Sequence, residues 1–309
     1  MPSSILVIKL GALGDFVQAL GPMTAIRNHH QGDHLILLTT APYEDFARAS
    51  HLFEDIWLDS RPKGLAVGHW MSLRRRLRGC GFKRVYDLQT SDRSSFYFRL
   101  LWPGPYPEWS GIARRCSHPH SNPRRDFMHT IERQAEQLHD AGIDDIPLPN
   151  VDWAEANVND FDLQSSYALF APGGAAHRPA KRWPAAYYAD VMRDMVEKGV
   201  QPVLIGGADE HGLLDHMAEK VPGVLNLAGR TSLLQLAEMG RHARFALGND
   251  TGPMHLLAVA GCASVVLYSD DSDPDLCAQR GPRVEILRRA SLMDLQPGEV
   301  QTSLQGFLD

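Results

Sequence analysis

Short apolar runs alternate with longer stretches in which apolar residues recur every three or four positions, almost from one end of the chain to the other. The first kind fits buried strands and the second fits amphipathic helices. Their alternation predicts parallel sheets covered by helices, the α/β class. In the first half the strand-like runs are Ile5 to Leu10, His34 to Thr39, Asp55 to Leu58 and Arg84 to Leu88, and helices are predicted over Asp15 to Asn28, Tyr43 to Ala49, Val67 to Cys80 and Phe127 to Ala141. Trp102 to Pro123, rich in proline and aromatic residues, reads as an irregular excursion. The pattern breaks at Gly142 to Asp162, as linkers commonly do, and we place a boundary there, giving domains 1–160 and 161–309. Beyond it the alternation restarts, with strands at Tyr167 to Ala171, Gln201 to Ile205, Val224 to Leu227, Phe245 to Leu247 and Ser264 to Tyr268. Helices are predicted at Ala185 to Lys198, Glu210 to Lys220, Leu233 to Arg241 and Gly252 to Ala260. Two successive doubly wound halves whose strand ends face each other would leave a cleft suited to a nucleotide.

The length of 309 residues agrees with two domains, because single cores stop growing at ~250–300 residues. No apolar run approaches the ~20 residues of a membrane helix, and Met1-Pro2-Ser3-Ser4 leads into a strand without a signal-peptide pattern, so a cytoplasmic protein is expected. Cys80, Cys116, Cys262 and Cys277 form no CxxC pair and read as reduced thiols. The net charge of −6 conceals a split: positions 61–133 hold 15 Lys and Arg against 5 Asp and Glu. Such a stretch suits an anionic partner, either a phosphorylated molecule or a membrane surface, or else it is a set of solvated helix faces.

Three turns could carry chemistry. Lys9-Leu10-Gly11-Ala12-Leu13-Gly14-Asp15 joins a strand to a helix, but its glycines do not follow the GxGxxG spacing of a dinucleotide site. Asp15 there reads either as a helix N-cap or as a general base at a strand end. Ala171-Pro172-Gly173-Gly174-Ala175 ends the first strand of the second half, and Lys181-Arg182-Trp183-Pro184 follows with a compact positive charge suited to phosphate. Gly248-Asn249-Asp250-Thr251-Gly252-Pro253-Met254-His255 joins an apolar strand to an apolar helix whose first amides would favour an anion. Asp250 there could accept hydrogen bonds from sugar hydroxyls, or could be a cap.

Together with Gly206-Gly207-Ala208-Asp209-Glu210 and Ala228-Gly229-Arg230-Thr231-Ser232-Leu233, these turns resemble glycosyltransferase family 9, the ADP-heptose:lipopolysaccharide heptosyltransferases, over nearly the whole chain. The resemblance implies a GT-B fold, two Rossmann-like doubly wound parallel-sheet domains facing a central cleft, with acceptor on the first and nucleotide sugar on the second. It implies an inverting transfer of heptose from ADP-heptose to an anionic lipopolysaccharide-core acceptor, without metal or other cofactor and without nucleic acid. Peripheral contact with the cytoplasmic face of the inner membrane would accompany it.

Position by position, the resemblance makes Asp15 the catalytic base and places Lys181 on the donor phosphates. Gly173, Gly174 and Ala175 would lie against the diphosphate, where the family often has Ser or Thr. Asp250 would hold sugar hydroxyls, Thr251, Gly252 and His255 would meet the diphosphate, and Glu210, with Asp209 competing, would take the ribose. Gly14, Arg74, Arg75 and Arg78 would serve the acceptor. Ser269 to Pro274 departs from the family's Gly-x-Thr-x-Pro. Its carboxylates admit a metal-binding DxD reading or a solvated loop, while His118-x-His120 lacks a third ligand. The alternatives are another nucleotide sugar, a non-lipid acceptor, or a binding protein that has lost turnover. For the C-terminal tail the resemblance suggests packing on the first domain.

Overall fold

The computed structural model describes residues 2–61, 66–174 and 178–308. The chain divides into two compact units, Met1–Asn150 and Val151–Asp309, so the division falls inside the composition break at Gly142 to Asp162.

The first unit runs β1 (Ser4–Ile8), α1 (Leu13–Gln18), α2 (Leu20–His29), β2 (His34–Thr39), α3 (Glu44–Ala49), β3 (Asp55–Leu58), α4 (Val67–Gly79), β4 (Arg84–Asp87), α5 (Asp92–Leu100), β5 (Glu108–Gly111), β6 (His118–Pro119) and α6 (Thr130–His139). Its six strands are parallel in the order β3-β2-β1-β4-β5-β6. The central strands are covered on both faces, which is why Ile5-Leu6-Val7-Ile8 and Leu35 to Leu38 are continuously apolar and buried.

Three local expectations change. The helix expected over Asp15 to Asn28 is two helices meeting at Ala19, because Pro22 has no amide to offer the carbonyl of Gln18 and its ring crowds that carbonyl. The excursion at Trp102 to Pro123 contains β5 and β6. Both are short edge-side strands, where Pro119 is tolerated. The third change is α5, which the apolar pattern alone did not reveal. Its signal is a capping box in which Ser91 and Ser94 exchange hydrogen bonds with each other's backbone amides.

The second unit runs β7 (Tyr167–Ala171), α7 (Ala185–Glu197), β8 (Gln201–Leu204), α8 (His211–Lys220), β9 (Leu225–Asn226), α9 (Leu233–His242), β10 (Ala246–Asn249), α10 (Gly252–Val259), β11 (Ser264–Tyr268), α11 (Pro274–Cys277), β12 (Val284–Arg288) and α12 (Pro297–Gln305). Its sheet is again parallel, β12-β11-β10-β7-β8-β9, the same doubly wound order as the first. Val300 and Leu304 of α12, with Phe307 and Leu308, enter the second unit's own core beside α7, and Trp183 donates its ring N–H to the carbonyl of Leu295 at 2.9 Å.

In each sheet the strand order reverses once, between β1 and β4 and between β7 and β10, and ligands of such sheets bind beyond the carboxyl ends at that reversal. The turn carrying Asp15 follows β1. Those carrying Gly173 and Asp250 follow β7 and β10.

Gly11 fixes the entry to the first of these turns. Its φ is +113°, and a Cβ there would lie 2.8 Å from the ring of Tyr43, which stacks on Phe16 of α1 at 4.7 Å. Gly11→Ala therefore strains the backbone and pushes Tyr43 off Phe16. We expect a loss of about 1–3 kcal/mol in a urea titration, and an unchanged midpoint would show that the turn adapts freely.

Candidate functional site

Asp15 is the third residue of α1, half-buried in the helix's first turn. The cap position belongs to Ala12, which makes no side-chain cap, and among the described residues the Asp15 carboxylate takes no hydrogen bond or ion pair. The capping alternative is thereby removed. Gly14, in the same turn, is buried.

Beneath Asp15 lies a charged layer to which the sequence reading assigned no role. Lys9, 3% exposed, donates to the carbonyl of Leu88 at 3.1 Å. Burial lowers its pKa, opposed chiefly by the negative charge of Asp15. The amide of Leu10 donates to Gln89 Oε1 at 2.7 Å, so the ends of β1 and β4 are stitched together under the turn. Asp87, fully buried at the end of β4, accepts from the amides of Gln89 at 3.1 Å and Thr90 at 3.0 Å, and its Oδ2 has no hydrogen-bond partner among the described residues.

Burial pushes the Asp87 carboxyl up to about 6 against the opposing hydrogen bonds of Ser94, Thr90 and Gln89 and the charge of Lys9. Because the folded pKa is raised, the associated stability is full below the ordinary carboxylate range and is lost as pH rises through about 6. Asp87→Asn should therefore gain on the parent protein as pH rises from about 4 to 7, measured by denaturant unfolding at each pH. A difference that stays flat with pH would show that Asp87 does not titrate in this window.

The three arginines expected to serve the acceptor divide. Arg74 donates to the carbonyls of Leu100 and Trp102, both at 2.9 Å, and Arg78 to those of Leu101 at 2.9 Å and Gly104 at 3.0 Å. They brace the end of α5 and the loop after it. Arg75 is exposed and has no such employment among the described residues. Arg76 lies over the ring of Trp57 at 4.1 Å.

In the second unit the organising residue is Asn249, at the end of β10 and fully buried. Its Nδ2 donates to the carbonyls of Pro172 at 2.8 Å and Gly173 at 3.0 Å, and its Oδ1 accepts from the Trp183 amide at 3.0 Å and the Tyr188 hydroxyl at 3.1 Å. All four hydrogen-bonding valences are used, and the turn after β7, the entry to α7 and the end of β10 are locked together. Asn249 stood inside a turn read from sequence, but only the three-dimensional meeting of these segments gives it a task.

Asp250 is 9% exposed at its side chain. Its Oδ2 accepts from Lys181 Nζ at 2.8 Å and from the Ser272 hydroxyl, while Oδ1 accepts from Tyr268 Oη and Gln279 Nε2, each at 3.1 Å. Burial would raise its pKa, but the Lys181 and Ser272 hydrogen bonds and the Lys181 charge prevail and hold it below the usual carboxylate range. Ser272 also accepts from Lys181 at 2.9 Å. Asp250 is thus no helix cap: Thr251 occupies the cap position of α10, and its hydroxyl is buried without a partner among the described residues. Gly252 opens α10, and His255, one turn in, brings Nε2 to 4.0 Å from Asp250 Oδ1.

Glu210 ties the remaining glycines. Its Oε1 accepts from the amide of Gly174 at 2.7 Å and its Oε2 from that of Gly207 at 2.8 Å. A Cβ at Gly173 would lie 1.9 Å from Glu210 Oε1, so only glycine fits there while the tie is made. Glu210, rather than the competing Asp209, therefore faces the turn after β7. Ala175 lies outside the described residues.

In the acidic loop after β11, Asp270 pairs with Arg288 at 3.2 Å and Asp273 caps α11 through the Asp275 amide at 3.1 Å. Among the described residues no cluster of three or more His, Cys, Asp or Glu is arranged to hold a metal ion.

These turns and sheets have counterparts in known proteins. The lipopolysaccharide heptosyltransferase 2 of Escherichia coli (strain K12) is 28% identical over 283 residues, covering 79% of this chain and 80% of its own. The solved structure of E. coli ADP-heptose lps heptosyltransferase II superposes with a TM-score of 0.83 at 22% identity, over 99% of this chain and 98% of that one. E. coli heptosyltransferase WaaC with ADP-2-deoxy-2-fluoro heptose superposes with a TM-score of 0.78 at 19% identity, over 98% and 99% of the two chains. The fold of two parallel α/β sheets is thus the GT-B fold of these enzymes. The family model for glycosyltransferase family 9 (heptosyltransferase) matches residues 70–299, most of the chain and every turn quoted from its second half, and the chain belongs to that family.

Proposed function

We propose that the protein transfers a heptose from ADP-heptose to an anionic lipopolysaccharide inner-core acceptor with inversion, Asp15 acting as general base and no metal taking part. The observation that carries the catalytic half of this reading is the Asp15 carboxylate, half-buried beyond β1 and committed to no other hydrogen bond among the described residues. A carboxylate so placed can take the proton of an acceptor hydroxyl as that oxygen attacks the anomeric carbon. The bond from that carbon to the ADP oxygen breaks on the opposite face, and the pair of electrons leaves with the diphosphate.

Charge developing on the diphosphate would be met by Lys181 and by the amides at the start of α10, near Thr251, Gly252 and His255, with Gly173, Gly174 and Ala175 also serving it. Asp250, which pairs with Lys181, would hold sugar hydroxyls, and the unused lone pairs of Glu210 would accept from the ribose. The donor bound by the WaaC structure named above supports ADP as the nucleotide. On the acceptor side Gly14, Arg74, Arg75 and Arg78 would provide a close approach and a positive field. The reading includes a cytoplasmic setting with peripheral contact at the inner membrane, and no nucleic acid. Among the described residues no helix is long and apolar enough to cross a membrane.

Thermal shifts with ADP, GDP and UDP test the donor, because a ligand that binds only the folded chain raises the melting temperature with its occupancy. Transfer from ADP-heptose to a deacylated core fragment tests the reaction. ADP should stabilise selectively and transfer should follow. A preference for UDP or GDP replaces the donor, ADP stabilisation without transfer leaves a binding protein without turnover, and no nucleotide response at all overturns the donor reading.

A further inference from the structure

The outward face of α4 and the loop after α5 share a composition unusual for a solvated surface. Along α4, Val67 and Met71, each 60% exposed, are followed on the same face by Arg74, Arg75 and Arg78, and the helix contains no acidic residue, while Leu73 and Leu77 face inward. Trp102, 70% exposed, and Tyr106, 45% exposed, stand in the loop whose carbonyls Arg74 and Arg78 grip. Beside them a surface cavity of about 590 Å³ is lined by Phe98, Trp102 and Tyr106 and edged by Arg99, Arg114 and Arg115. Those three arginines are exposed, and among the described residues none makes an ion pair or hydrogen bond. The one carboxylate on the cavity's edge, Glu108, is neutralised by Arg84 at 2.6 Å.

We infer that this face is a docking surface for a bilayer containing anionic lipid, with the arginines at the headgroups and Trp102, Tyr106 and Met71 at the interface. Exposed arginines without a side-chain partner attract negative charge, and an isologous contact between two copies would instead bring the same cations together. Exposed tryptophan and tyrosine beside aliphatic side chains fit the headgroup boundary, where an amphipathic ring has both its apolar body and its polar edge satisfied. A brace from Arg74 and Arg78 keeps the loop ordered, so little conformational freedom is lost on contact. Peripheral membrane contact belongs to the proposed function and the inference rests on it to that extent, but the surface is argued from these residues alone.

The test is cosedimentation of the full chain with vesicles of phosphatidylcholine, alone or mixed with phosphatidylglycerol, at low and physiological salt. The mixed vesicles should bind at least tenfold more strongly than phosphatidylcholine alone. Each arginine near an anionic surface accounts for about fivefold in partitioning, so Arg99→Gln/Arg114→Gln/Arg115→Gln should lose roughly 100-fold. Trp102→Ser should lose several-fold even at low salt, whereas Arg193→Gln on α7 should change nothing. Transfer to the deacylated fragment, which needs no membrane, should persist in the triple variant; a parent protein that binds vesicles but transfers nothing would overturn the transfer reading alone. Equal binding to both vesicle types, full binding by the triple variant, or full binding by Trp102→Ser, as a mere polyanion contact would give, overturns the docking surface.

Discussion

Replacing Asp15 with Asn should lower transfer by about 10²- to 10⁴-fold, the contribution of a well-placed general base, while leaving the affinity for ADP within about twofold. The substitution is nearly isosteric, and among the described residues the Asp15 side chain makes no hydrogen bond to lose. Its charge does offset the burial of Lys9, so folding stability should fall by about 1 kcal/mol, too little to account for the loss of turnover. The measurement is turnover at saturating donor and acceptor, beside calorimetric ADP binding and a denaturant titration. Because the role exists only as the proton leaves the hydroxyl, kcat and kcat/KM should fall together. Turnover near the parent value in a folded Asp15→Asn protein would end the general-base assignment.

Lys181→Met should be the most damaging change in the second unit, and it should act twice. It removes the counter-charge of Asp250, whose side chain is 9% exposed, and breaking a buried pair from one side costs about 3–5 kcal/mol. Ser272, Tyr268 and Gln279 still donate to the stranded carboxylate, which points to the lower end of that range. The pH dependence gives the signature. Asp250 has a lowered pKa in the folded chain, so its stability contribution is present above the ordinary carboxylate pKa and is lost as pH falls through the lowered one. The gap between parent and variant should therefore close in acid. Separately, losing a charge-assisted bond to phosphate should weaken ADP binding by about 10- to 100-fold. Undiminished ADP affinity in the variant would remove Lys181 from the diphosphate.

The doubly wound architecture could be read from the chain because its central strands are buried on both faces and so appear as unbroken apolar runs, from Ile5 to Ile8 and from Tyr167 to Ala171. Elements at the margins left weaker traces. In β5 and β6 proline and short length mask the strand pattern, in β12 the burial is only partial, and α12 is held by packing that a periodicity of nine residues cannot announce. The site shows the same division. Asp15, Lys181 and Asp250 stood out because charge beside glycine at a strand end has few other uses. Lys9, Asp87, Asn249, Ser272, Tyr268 and Gln279 did not, since each derives its role from a partner between 11 and 91 residues away.

The Glu210 carboxylate is bonded at once to the amide of Gly174 and to that of Gly207. If the same carboxylate accepts the ribose hydroxyls, the sugar and phosphate portions of the donor are sensed by a single mechanical element. The free energy of recognising one portion then depends on the presence of the other, a cooperativity within a single ligand. A donor analogue lacking a ribose hydroxyl would lose more than one hydrogen bond, because the turn meant for its diphosphate would be less firmly held.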